Sequence, residues 1–177
     1  MLFTETRLKG AYLIDVERHT DERGFFGRSW CREDFEARGL DPQLVQCNIS
    51  FNEKQGTVRG MHYQTDPYQE SKLVRCTMGA LYDVIIDLRS DSATFAHWLA
   101  VELTSENRRG LYIPRGFAHG FQTLSDNTEV FYQMSEFYHP EAARGVRWDD
   151  PAFCIEWPIK TLVISEKDQR YPDWGKV

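Results

Sequence analysis

Two short segments concentrate the residue types that move protons or bind metals. One is Arg59-Gly60-Met61-His62-Tyr63-Gln64. The other is Ile113-Pro114-Arg115-Gly116-Phe117-Ala118-His119-Gly120-Phe121, where proline and glycine force a turn that presents His119 at the start of the next extended segment. Two imidazoles converging from two such segments make either a metal site or an acid/base site, and the remaining donors decide between them. Two further residues stand out by strand parity. Alternation groups Lys72 with Val74 and Cys76, and a lysine on an apolar face is costly unless paired or used. The same rule sets Tyr132 between Val130 and Met134, inside the body of the protein.

The elements that must position these groups are mostly strands. Segments rich in β-branched and aromatic residues recur at 45–51, 57–64, 72–78, 80–88, 97–103, 111–114, 119–124 and 128–135, separated by turn-forming residues. Short strands spaced in this way predict one antiparallel sandwich or barrel. One helix is expected over 31–38, with Ser29 as its cap and Gly39 as its stop, and the proline-bearing stretch after Trp148 is expected to wrap the β body. Strict alternation puts Arg59 and His62 on opposite faces; a bulge at Gly60 would bring them together, or else Arg59 lies at the rim. The paired acids Asp83 and Asp87 read as local structural partners rather than as an acid/base couple.

Composition narrows the class. The chain has 177 residues, room for one domain, with 41% hydrophobic, 27% charged and 14% aromatic residues, which is globular rather than disordered. The net charge of −6 provides no global attraction for nucleic acid or an anionic membrane, so an anionic ligand needs a local basic pocket. No apolar run reaches the roughly 18 residues of a membrane span, and the first ten residues lack a hydrophobic signal core, so the expected location is the cytoplasm. Cys31, Cys47, Cys76 and Cys154 are scattered without CxxC spacing and are read as buried, reduced thiols.

Pro114-x-Gly116-x-x-His119 resembles the second motif of the cupin superfamily, which implies a jelly-roll barrel. Metal-binding cupins usually supply His-x-His in the first motif; here the stretch reads His62-Tyr63-Gln64, and a neutral amide is a poor substitute for imidazole, so no metal is expected. An imidazole with an unperturbed pKa of about 6.5 suits a metal-free base. More specifically, Arg59–Gln64, Lys72-Leu73-Val74, Asp83–Arg89, Ile113–Phe121, Trp148-Asp149-Asp150-Pro151 and Ser165-Glu166-Lys167-Asp168 resemble, in order, the hallmark segments of the dTDP-4-dehydrorhamnose 3,5-epimerase family.

That resemblance implies an all-β, cupin-type jelly roll with a few short peripheral helices, acting without cofactor on a nucleotide-linked 4-keto-6-deoxy sugar, dTDP-4-dehydro-6-deoxy-D-glucose inverted at C3 and C5; a C3-only or C5-only epimerase, a 3,4-ketoisomerase and a non-catalytic sugar-binding cupin are the alternatives. It implies His62 as base, Asp168 as the carboxylate that orients it, Lys72 facing the enolate oxygen and Tyr132 as the returning acid. Arg23, Phe26, Gln46, Asn48, Arg59, His119, Tyr138 and Lys167 match binding positions. It also implies a homodimer in which N-terminal strands exchange and Arg23 with Phe26 reach the neighbour's site. Arg28, Cys47, Ile49 and Ala143 depart from residues common in the family and bear on sugar and nucleotide preference.

Overall fold

The computed structural model describes residues 1–175. Their order is β1 (Leu2–Glu5), β2 (Tyr12–Asp15), β3 (His19–Asp21), β4 (Gly24–Phe26), α1 (Arg32–Glu36), β5 (Gln46–Asn52), β6 (Thr57–Gln64) and β7 (Lys72–Met78). There follow β8 (Ala80–Asp87), β9 (Trp98–Thr104), β10 (Gly110–Ile113), β11 (Phe117–Thr123), β12 (Thr128–Met134), β13 (Ala143–Gly145), β14 (Val163–Ile164) and α2 (Glu166–Gln169). One sheet runs β1-β2-β10-β7-β12-β5 and the other β13-β6-β11-β8-β9, with β14 added in parallel to β6; β3 and β4 form a separate hairpin. The antiparallel, two-sheet architecture is the one the strand spacing predicts.

Burial patterns explain why the sheets stack. Val74, Cys76 and Val130 of the first sheet meet Leu81, Ile85, Leu103, Phe117 and Phe121 of the second in one buried cluster. The outer face of the second sheet is apolar as well, at Met61, Val84, Ile86 and Ala118. The C-terminal stretch covers it with Val146, Phe153, Ile155 and Trp157, as expected of a wrapping segment. Helix α1 does the same for the first sheet, seating Phe35 against Ile14, Leu73 and Tyr112. Burying one such aromatic side chain stabilises by roughly 1.5–3 kcal/mol.

Several expectations are corrected. The helix is shorter than 31–38: its N-cap is Cys31 rather than Ser29, and no side chain caps it. Of the four cysteines only Cys76 is buried, because Cys47 and Cys154 fall on outward-facing positions. The short strands β1 to β4, β13 and β14 carry too few residues for periodicity to reveal them.

Parity on β6 is resolved by a bulge. His119 pairs with His62 and Phe121 with Arg59, so Gly60 and Met61 together oppose Gly120. Gly60 has φ of +120°, and a β-carbon there would lie 2.5 Å from Gly120 Cα, so glycine is required at this crossing. The extra residue sends Met61 into the outer core and returns both Arg59 and His62 to the inner face.

Candidate active site

Between the sheets opens a cleft of about 340 Å³. Strand β5 contributes Gln46, Asn48 and Ser50, the alternate residues that face inward, while Cys47, Ile49 and Phe51 point out. Strand β6 contributes Arg59, His62 and Gln64; β7 contributes Lys72, β11 His119 and β12 Tyr132. Tyr138, Ala143 and, from α2, Lys167 also line it. Thus most of the residues singled out in the sequence share one cavity. Arg23 and Phe26 do not: they sit on the β3–β4 hairpin, where Phe26 is 76% exposed and Arg23 pairs with Asp21. Of the four departures only Ala143 reaches the cleft.

His62 is held by Asp168, its Nε2 lying 2.7 Å from Oδ1. The other carboxylate oxygen accepts the Gly60 N–H at 3.3 Å, and the Asp168 N–H donates to Ser165 Oγ at 3.1 Å, which caps α2. Burial works against the Asp168 charge, but the hydrogen bond and positive charge of His62, with those from Gly60 and Ser165, hold its pKa below the ordinary carboxylate value. An ionised carboxylate only accepts, so Nε2 carries a proton, and in the neutral imidazole Nδ1 keeps the lone pair. That is the tautomer a base needs, and its conjugate imidazolium would be stabilised by the same carboxylate.

A second pair stands beside it. His119 Nε2 lies 2.7 Å from Asp83 Oδ1, with Asp83 fully buried. Asp83 on β8 is diagonal to His119 across the β11 ladder, so the two inward side chains meet. The reading of Asp83 as merely local therefore misses its place behind the cleft, whereas Asp87 is structural as expected, bound to Arg89, Ser92 and Thr94. Each histidine is directed to its own carboxylate, and no group of three or more His, Cys, Asp or Glu side chains among the described residues is placed to hold a metal ion.

Lys72 is buried and pairs with Glu70 at 2.8 Å. The partner satisfies the electrostatic demand that alternation raises at this position, and Glu70 Oε2 remains buried without a hydrogen bond. Burial raises the pKa of the Tyr132 phenol, with Arg59 partly opposing, so it keeps its proton at neutral pH. Residues that the sequence reading did not single out also line the cleft, among them Ser50, Glu70, Arg144 and Tyr171. Glu70 meets Lys72 two residues on, whereas Tyr171 is brought to His62 from the far end of the chain, an encounter that nothing in the local sequence signals.

A two-sheet, cupin-like barrel holds in one cleft a carboxylate-bound histidine, a buried lysine and a protonated tyrosine, groups with which an enzyme of the acid/base class could take up and return protons. Comparison with known proteins narrows it. Residues 5–176 match the family described as dTDP-4-dehydrorhamnose 3,5-epimerase, and the chain belongs to that family of isomerases. The enzyme of that name from Methanothermobacter thermautotrophicus is 45% identical over 96% of this chain and 92% of its own. The crystal structure of the Elizabethkingia anophelis enzyme superposes with a TM-score of 0.96 at 38% identity, covering 98% of this chain and 96% of that one. The Bacillus anthracis enzyme, solved with TDP and PPi bound, superposes with a TM-score of 0.93 at 40% identity, covering 97% and 98%.

Proposed function

We propose that the protein inverts C3 and C5 of dTDP-4-dehydro-6-deoxy-D-glucose by cofactor-independent proton transfer. A C–H beside a ketone is acidic because its removal gives an enolate. His62 Nδ1 takes that proton, Asp168 stabilises the resulting imidazolium, and the Lys72 ammonium faces the oxygen on which negative charge develops. Tyr132 then returns a proton to the other face of the carbon. The observation that carries this reading is that His62 and Tyr132 enter one cleft from opposite sheets, β6 and β12. A base and an acid on opposite sides of a planar enolate produce inversion.

Arg59 and Lys167 give the acidic protein the local positive lining that a diphosphate requires, and Tyr138, 53% exposed in the cleft lining, offers a face for the base. The nucleotide assignment draws on the TDP bound to the Bacillus anthracis relative. The working unit we propose is a homodimer. Ile49 and Phe51 on β5, an edge strand, and Val45 just before it expose apolar side chains, and the β3–β4 hairpin projects Arg23 and Phe26 away from the chain's own cleft. A second copy would cover the first and receive the second.

Incubation with the proposed substrate in D₂O tests the reaction. Deuterium at both C3 and C5 is expected, and at neither in His62→Ala. Label at C3 alone would reduce the activity to single epimerisation, and no label would remove it. Sedimentation should give a dimer; a monomer at micromolar concentration would refute the shared site.

A further inference from the structure

Gly145 stands opposite His62 in the β13–β6 ladder. With no side chain at that position, a slot opens beside the imidazole, and the ring of Tyr171 fills it. A β-carbon at Gly145 would lie 2.1 Å from Tyr171 Cε2 and 2.2 Å from Cζ. The seated ring meets His62 edge to face, with centroids 6.2 Å apart and planes at 72°. Tyr171 follows Asp168 by three residues, so the segment that begins with α2 delivers both a carboxylate and an aromatic wall to one imidazole.

We propose that Tyr171 is a positioning residue for His62, that its ring fixes the imidazole plane, and that Gly145 is glycine because a side chain there would displace that ring. The inference rests on His62 being the base. Asp168 constrains His62 through one hydrogen bond, and a single bond leaves the ring free to swing about it. An edge-to-face contact removes that freedom, since aromatic pairs have a preferred geometry. His62 needs such restraint because its side chain is 45% exposed. Burial, and after it the Asp168 charge, pushes the Tyr171 pKa up to about 12, so the phenol stays neutral and adds no competing charge beside the dyad.

Three variants separate the ring from the hydroxyl and from simple stability. Tyr171→Ala should lower kcat for deuterium wash-in roughly ten- to a hundredfold, the cost of about 1 Å of misplacement of a reacting group, while KM changes less than about threefold. Tyr171→Phe should recover most of that loss. Gly145→Ala, which leaves Tyr171 in the sequence but moves its ring, should reproduce the alanine phenotype. Independently of turnover, the imidazole NMR signals of His62 in the free protein should lose their ring-current shift in Tyr171→Ala and keep it in Tyr171→Phe. Unchanged kcat in Tyr171→Ala, an equal loss in Tyr171→Phe, or unmoved His62 signals would overturn the inference. An inactive wild-type protein would instead refute the epimerase reading, and the NMR comparison would still decide the positioning role.

Discussion

Asp168→Asn is the most searching perturbation of the proposed chemistry, because it changes charge and acceptor count with almost no change in shape. The wild-type carboxylate accepts two hydrogen bonds, from His62 Nε2 at 2.7 Å and from the Gly60 N–H at 3.3 Å. An amide has one acceptor oxygen. Either that oxygen keeps His62 and the NH₂ group confronts the Gly60 N–H, or the amide flips and donates to Nε2, which then holds the lone pair and moves the ring proton to Nδ1. The second arrangement spoils the base. In either one the imidazolium formed on proton abstraction loses its counter-charge. Two unit charges about 4 Å apart attract by about 4 kcal/mol at an effective dielectric of 20. Because His62 is 45% exposed, solvent screening reduces this to about 2–4 kcal/mol. At about 1.4 kcal/mol per decade the expected loss in kcat is roughly 30- to 1,000-fold. Saturating substrate in D₂O, with wash-in followed by NMR, measures it directly. An Asp168→Asn rate within about threefold of wild type, or a loss confined to KM, would refute the argument.

Other expected outcomes probe the opposite wall and the frame. Tyr132→Phe should slow inversion at least a hundredfold while affinity changes little, and a pure loss of affinity on calorimetry would make Tyr132 a binding residue. Lys72→Met should cost about 10²–10³ in kcat and also lower the melting temperature, since Glu70 would be left buried without its partner; an unchanged melting temperature would refute that pairing. Asp87→Asn should leave activity intact but reduce stability. Although burial opposes its charge, bonds from Arg89, Ser92 and Thr94 depress the folded-state Asp87 pKa from 3.8 to about 2. The folded state therefore favours the ionised form, and the contribution, about 2 kcal/mol, is present above pH 4 and lost as pH falls toward 2. The variant should melt several degrees lower at neutral pH and show a flatter decline between pH 4 and 2.

The strand pattern and the motif segments made the barrel and most of the cleft readable before any coordinates. Strands β6 and β7 begin and end where the segments rich in β-branched and aromatic residues meet turn-forming residues. Even the conflict over Arg59 and His62 pointed to Gly60, the bulged residue. What sequence reasoning could not supply was the company kept by residues from distant strands. Asp83 looks like any acid on a strand until β11 brings His119 diagonally across from it. Tyr171 and Gly145 lie 26 positions apart with no shared pattern, and only the wrapping segment makes them neighbours. Arg23 and Phe26 lie outside the chain's own cleft, exposed on the β3–β4 hairpin; the resemblance assigns the pair to a neighbour's site rather than to this one.

If His62 and Tyr132 act as proposed, their placement on facing sheets also makes the thickness of the sandwich a kinetic variable. Stacked sheets lie about 10 Å apart, a spacing set by the core side chains between them. Val130, two residues from Tyr132 on β12, and Phe121, the neighbour of Arg59 across the β11–β6 ladder, are such spacers, buried in the cluster that joins the walls. Trimming or enlarging a spacer would change the reach of Tyr132 toward the carbon that His62 deprotonates. On the proposed chemistry the hydrophobic core is thereby the calliper of the reaction.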